Sequence, residues 1–526
     1  MLSDYHFCAH GELLRFDDFV RAVTIGLFVM LTVFGIAFSI YLLYNSTNIY
    51  LYIIAIVFLL LSSISGFFNI FSSYSYYRSN FYAKKIEAIR KSLRPLDYTP
   101  KVAVVVPVYN EDPVMVKNNF LKLLKMDYEK GRISYYLLDD SDKRYINDFL
   151  RNFCASAGIQ YIHRKTRKGY KAGALNNMLK ISDEEFIAIF DGDEKLIDRE
   201  FVKDILPYFN DRDIAYIQTE KRYSKGSFFS DTVNLFDAFF FKFIQPSRAL
   251  NNTAIFAGSC GMIRRSAIDK VGGFPEYVTE DTFFSFESDK KEFKSLYVPK
   301  VYALGKPIMK FSDLVKQQWR YNYGDTQFLL YFLRNRHNKD NKRMGALSKV
   351  DYFTHGFGLN YISVILIFFT VVSILIVFSS LQFASMSAKQ LIEARYLGNY
   401  IEIAGFGVFA LSLVTPVILT KVYFKSVKKG FMVLFLNFSL AFVRANAALS
   451  AITNFRRKNA WSGDYSKSSR RLPLAFRNSF TEVVFSAALF GLGGIALMLN
   501  NLSGGLWLIW YGSLYTSTFY FFYKYG

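Results

Sequence analysis

Acidic and polar residues close three strand-like runs in the middle of this chain. KVAVVVPVYNED (101–112) runs into Tyr109, Asn110 and Glu111, ISYYLLDDSD (133–142) into Asp139 and Asp140, and EFIAIFDGDE (185–194) into Asp191-Gly192-Asp193. Carboxylates gathered at one point cannot all stay ionised without compensation. A divalent cation bound together with a diphosphate supplies that compensation, since Mg²⁺ or Mn²⁺ takes oxygen ligands and keeps phosphate oxygens as partners. The chemistry expected of the three clusters is therefore binding of a nucleotide sugar.

The elements that must position these groups follow from the runs themselves. Near-continuous β-branched apolar segments suit strands buried on both faces, as in a parallel sheet. Ligands of such sheets bind beyond the carboxyl ends of the strands, where all three clusters lie. Tyr109 at the first end can stack on a base, and Asp139 or Asp140 can accept from a base N–H. Lys168 and Lys171, in the glycine-flanked run RKTRKGYKAG, suit close approach to phosphate oxygens.

Composition bounds the setting. Of 526 residues, 52% are apolar and 18% aromatic, yet the formal charge is +21. Hydrophobicity with basicity points to a membrane protein whose cytosolic part faces anionic lipid or substrate, and argues against a nucleic-acid partner. Cys8, Cys154 and Cys260 show no metal-ligand spacing, and the five histidines are scattered, so neither a disulfide framework nor a zinc site is expected. Residues 1–18 carry acidic and basic side chains with no cleavage pattern after them, which predicts a cytosolic N-terminus in place of a signal peptide.

A span needs about 20 apolar residues. Residues 19–44 and 50–76 form a hairpin, and the basic run from Arg78 to Arg94 sets its exit on the cytoplasmic side. A cytosolic catalytic domain is expected over 77–310, interfacial helices over 311–350, and a membrane region over 351–526 with spans at 353–381, 399–424, 478–500 and 504–523. A crossing by 431–452 would put Arg456, Arg457, Lys458, Arg470 and Arg471 outside, and the segment itself holds Asn437, Arg444 and Asn446. It is read as an amphipathic helix on the cytoplasmic surface. The topology is then six spans in the plasma membrane, with both termini cytoplasmic.

The order of motifs resembles that of the processive, membrane-embedded family 2 glycosyltransferases, the cellulose, chitin, mannan and hyaluronan synthases. PVYNED, DDSD (139–142), KAGALN (171–176), DGD (191–193), TED (279–281) and QQWRY (317–321) follow one another as that family's motifs do, over roughly residues 20–475. The resemblance implies an α/β fold: a cytosolic GT-A domain with a doubly wound mixed sheet, inserted between transmembrane helices. It implies donor binding by Tyr109, Glu111, Asp139, Asp140, Lys171, Asp191, Asp193 and Arg320. Asp193 is the implied direct metal ligand, and Asp191 stands beside it nearer the ribose. Asp281 is the implied general base, with Thr279 and Glu280 orienting base and acceptor. A positioned carboxylate can take the acceptor's proton during in-line attack, which inverts the anomeric centre. Arg320 suits the charge growing on the departing diphosphate, and Gln317, Gln318 and Trp319 suit the acceptor sugar.

Two departures stand out. Tyr321 replaces the terminal Trp of the family's QxxRW, and loop 456–476, with Trp461, lacks the usual gating sequence. The resemblance implies a growing β-linked polysaccharide as acceptor and product, exported through the protein's own membrane region. Single-sugar transfer to polyprenyl phosphate or another lipid is the alternative, which QQWRY disfavours. A transporter or scaffold with a dead domain is the third reading, disfavoured by Asp193, Asp281 and Arg320. UDP-glucose is the first expected donor, with UDP-GlcNAc and GDP-mannose open.

Overall fold

In the computed structural model, residues 49–335, 344–382, 420–455, 472–498 and 502–526 are described, with isolated positions at 26–44 and 417. The three acidic runs are strands β1 (Val102–Val108), β2 (Ile133–Asp139) and β4 (Phe186–Ile189), with β3 at Gln160–His163, β5 at Ile214–Thr219, β6 at Gly261–Arg264 and β7 at Lys294–Val298. They make one seven-stranded sheet in the order β3-β2-β1-β4-β6-β5-β7. All neighbours are parallel except β4–β6 and β6–β5. The doubly wound mixed sheet that the resemblance implied is thus present.

Both faces of this sheet are covered, which is why its strands are apolar throughout. Val102, Val104, Val106 and Val108 of β1 point into one core with Val116, Phe120 and Leu150. Ala103 and Val105 point into the other with Leu175, Met178 and Phe284. Helices α2 (Pro113–Leu123), α3 (Arg144–Ala157) and α4 (Tyr170–Met178) follow the first three strands in turn. The acidic strand ends of β1, β2 and β4 therefore open on one side.

The N-terminal helix α1 (Ile49–Ser92) is continuous over 44 residues, or ~66 Å at 1.5 Å per residue. That is about twice a hydrocarbon core, so its second half has to serve the domain. It does: the Tyr82 hydroxyl donates to Tyr297 O at 2.5 Å and accepts from Tyr297 N at 3.0 Å, fastening α1 to β7.

Beyond the sheet come α5 (Phe228–Phe239), α6 (Glu280–Lys290), α7 (Phe311–Arg334) and α8 (Ala346–Gln382). The interval 431–452 falls in two helices, α9 (Val427–Ser439) and α10 (Ala441–Thr453), bent by 42° at their junction. They are followed by α11 (Phe480–Met498) and α12 (Leu502–Tyr525). Among the described residues α11 alone is long and apolar enough to cross a bilayer, and α9–α10 would be so only as one broken segment. The expected spans 19–44 and 399–424 lie almost wholly outside the described residues, as does 456–471 of the expected gating loop.

Candidate active site

Four strand or helix ends and one loop converge above β1 and β4. The loop 164–169 is held by Arg164, whose Nη1 donates to Lys168 O and Nη2 to Tyr170 O, at 2.8 and 2.9 Å. Arg164 Nε also donates to Asp140 Oδ1 at 2.8 Å, so the second strand end fixes this loop. The two aspartates of that end separate in role. Asp139 is fully buried, accepting from Ser141 N at 2.9 Å and the Tyr161 hydroxyl at 2.7 Å. Its carboxylate braces the turn and is closed to a base, whereas Asp140 faces the loop.

Tyr109 is half-buried at the end of β1. The Arg167 guanidinium lies 3.2 Å from its ring centroid, so one face of the expected base platform is already covered. Arg167 Nε is buried without a hydrogen-bond partner. Lys168 is exposed at the surface, and of the two lysines it is Lys171 that enters the site.

Lys171 Nζ donates to Asp191 Oδ1 at 2.6 Å. A second lysine, Lys221, lies 3.6 Å from Asp191 Oδ2 and 3.2 Å from Glu194 Oε1, and donates to the Ser259 hydroxyl at 2.5 Å. Sequence reasoning did not single out this side chain. Burial would raise the Asp191 pKa, but the two lysines hold it well below the usual carboxylate range. Asp193 and Glu111 behave oppositely. Burial pushes Asp193 up to about 6, with Asp191 and Glu194 adding to the rise. Burial pushes Glu111 up to about 7, with Asp191 and Asp193 adding to it and the Tyr109 N–H and Lys171 opposing.

This asymmetry bears on a metal. Both oxygens of Asp191 already face ammonium groups, while Asp193 retains an uncompensated charge cost that a cation would relieve. Among the described residues no three His, Cys, Asp or Glu side chains could hold a metal ion by themselves. A divalent cation at this site would have to be completed by ligands from outside the protein, such as diphosphate oxygens.

The residue expected to act as base comes from α6. Asp281 stands in the first turn of α6, its Oδ1 accepting from Thr282 N at 2.8 Å. Gly258, at φ +81°, lets the backbone pass beside it: a β-carbon there would lie 3.1 Å from Asp281 Oδ2 and 3.6 Å from Lys171 Nζ. The lysine of one motif and the carboxylate of another thus meet at one glycine. Burial raises the pKa of Asp281, against the Thr282 N–H, Lys171, Lys221 and Arg320. Burial and then the Asp281 charge push the adjacent Glu280 to about 7.

Arg320 keeps open surface on α7 and lies within electrostatic reach of Glu280, Asp191 and Asp281. Gln317 and Tyr321 share its side of the helix at the spacing of one turn, and Gln317 Nε2 donates to the Tyr321 hydroxyl at 3.3 Å. Gln318 and Trp319 do not, and here the structure departs from the acceptor role expected of them. Gln318 is buried, its Oε1 accepting from Arg444 Nε and Nη2 at 3.1 and 2.7 Å. Trp319 is 7% exposed and stacks on Tyr323 at 5.1 Å in a core shared with Phe311 and Leu436. Five consecutive helical residues cannot all face one cleft; two pack inward and three keep exposed surface.

Thr279 is pressed against α7. A β-carbon at Gly324 would come 2.4 Å from Thr279 Cγ2, so only glycine permits this approach. Gly324→Ala is expected to cost about 1–3 kcal/mol of stability by overpacking and to lower turnover by tilting α6. Thermal unfolding and initial rates on the same preparation check both.

Residues 103–272 match the family model described as glycosyl transferase family 2. The chain is 31% identical over 236 residues to a cellulose synthase catalytic subunit of Pseudomonas fluorescens, covering 43% of this chain and 31% of the relative. It is 30% identical over 236 residues to that of Xanthomonas axonopodis, covering 43% and 32%. To the cellulose synthase 1 catalytic subunit of Komagataeibacter xylinus it is 28% identical over 262 residues, covering 47% and 34%. The matches span about a third of these relatives' length. Among solved structures, a mannosyltransferase from Pyrobaculum calidifontis in complex with GDP-Man and Mn²⁺ superposes with a TM-score of 0.47 at 16% identity, over 71% of this chain and 94% of that one.

Proposed function

We propose that this chain, which resembles family 2 glycosyltransferases of the cellulose synthase type, is a glycosyltransferase that polymerises sugar from a nucleoside-diphosphate donor into a β-linked polysaccharide. UDP-glucose is the first donor to try. The observation that carries this reading is the meeting of Lys171, Asp191 and Asp281 around Gly258, with Arg320 in electrostatic reach. Donor diphosphate, developing charge and base are thereby served within one cleft.

In this reading the base of the donor lies along Tyr109 and Arg167, and Asp140 borders it. Lys171 faces the diphosphate, and Asp193 would hold a Mg²⁺ or Mn²⁺ that neutralises phosphate charge when bound. Asp281 removes the proton of the acceptor hydroxyl as that oxygen attacks the anomeric carbon. Arg320 answers the charge that grows on the leaving diphosphate. Gln317 and Tyr321 are the motif residues left open to the acceptor. Export follows in this proposal from the placement of apolar helices on both sides of the domain, with the bilayer as the protein's surroundings and the domain on its cytoplasmic side.

Purified protein in detergent is to be offered each radiolabelled nucleotide sugar with Mg²⁺ or Mn²⁺. High-molecular-weight product that a matching glycanase destroys is the expected result and identifies the donor. Label confined to the organic-soluble fraction would replace polymer synthesis by single-sugar transfer to a lipid.

A further inference from the structure

Behind the base lies a group of buried polar side chains for which the proposed chemistry has no use. Thr282 follows Asp281 and does two things at once. Its backbone N–H donates to Asp281 Oδ1 at 2.8 Å, and its hydroxyl lies 3.2 Å from His355 Nε2. The same His355 nitrogen lies 3.9 Å from Oδ1 of Asp325, a buried residue of α7. Phe240 and Phe328 wall the imidazole at ring distances of 6.3 and 6.4 Å. One helical turn further along α6 the pattern recurs: the Ser285 hydroxyl donates to Asp281 O at 2.7 Å, and the Tyr352 hydroxyl donates to Ser285 O at 3.0 Å. His355 and Tyr352 both belong to α8, so this helix touches α6 at Thr282, next to Asp281, and again at Ser285.

Resting on the assignment of Asp281 as base, we propose that His355 is a positioning residue for Asp281 and acts through Thr282. The Thr282 hydroxyl held at His355 anchors the residue whose backbone N–H fixes Asp281 Oδ1, so losing that anchor loosens the turn that carries the carboxylate. The base is therefore set in place from α8, the helix that carries the chain out of the catalytic domain. Misplacement of a reacting group by as little as ~1 Å costs up to about 10²-fold in rate. Loss of the His355 contact is expected to displace the carboxylate by less than that and to cost about tenfold in kcat, with donor KM unchanged, since neither His355 nor Thr282 is placed in the donor site.

The test is a double-mutant cycle on the full-length protein, read as kcat and donor KM with thermal unfolding alongside. His355→Ala and Thr282→Val should each lower kcat about tenfold at constant KM, and the double variant should be no worse than either. Thr282→Ser keeps the hydroxyl and should recover most of what Thr282→Val loses. Additive losses in the double variant, unchanged kcat in both singles, or a change in KM with kcat preserved would each overturn the proposal. If His355→Ala does not fold, the Thr282→Val and Thr282→Ser pair alone decides it. Asp281→Asn separates the two readings: full turnover there removes the base assignment, whereas its loss beside unaffected Thr282 and His355 variants removes only the positioning chain.

Discussion

Asp281→Asn should lower sugar transfer by about 10²–10⁴-fold, the usual worth of a positioned general base, with nucleotide binding retained. Asparagine keeps an oxygen that can accept the 2.8 Å bond from Thr282 N, so the first turn of α6 stays in place. What is lost is the capacity to take a proton. The sign of the pH effect follows from the burial that raises the Asp281 pKa, opposed by the Thr282 N–H, Lys171, Lys221 and Arg320. A base works only when deprotonated, so the acid limb of kcat should lie above the ordinary carboxylate value of about 3.9. Linkage adds a control. A carboxylate whose folded pKa is raised binds its proton more tightly in the fold, so its contribution to stability declines as pH climbs past the unfolded value. Removing that charge should leave the melting temperature at neutral pH unchanged or higher. A variant that is inactive yet no less stable has lost chemistry and not structure; near-normal turnover would rule out Asp281 as the base.

How much of this was legible in the residues depends on the distance over which each constraint acts. β1, β2 and β4 could be read because every residue of such a strand is buried on one face or the other, and that leaves a local apolar run. The acidic ends were legible for the same reason, since charge interrupts the run. The division of QQWRY was not. Which face of α7 is the inner one depends on Arg444, 126 residues away, which holds Gln318, and on the core around Trp319. Likewise Asp139 and Asp140 are chemically identical in sequence, and only Tyr161 and Arg164 from the next elements tell them apart. Lys221 sits in a polar run that looks like solvated surface, yet its ammonium is enclosed by Asp191, Glu194 and Ser259. Arg167 was hidden in the same way among neighbouring basic residues.

Arg320→Ala is expected to produce a comparable loss in turnover, about 10²–10³-fold, the range measured when one preorganised donor to a developing charge is removed. Two effects of the same sign combine. The diphosphate gains charge only as the glycosidic bond breaks, so Arg320 contributes more in the transition state than in the bound donor, and kcat should fall further than donor affinity. The guanidinium also neutralises part of the field of Glu280, Asp191 and Asp281. Without it Glu280 and Asp281 hold their protons more tightly, and the acid limb of the pH profile should move upward. That second signature distinguishes loss of this cation from a general loosening of α7, which would weaken binding without displacing the limb. Arg320→Lys tests the geometry: an ammonium keeps the charge and should hold the limb in place, but it lacks the planar fork that can meet two phosphate oxygens at once. It should therefore recover the pH profile while recovering only part of kcat. If alanine and lysine lose activity equally and neither moves the limb, Arg320 does not face the leaving group.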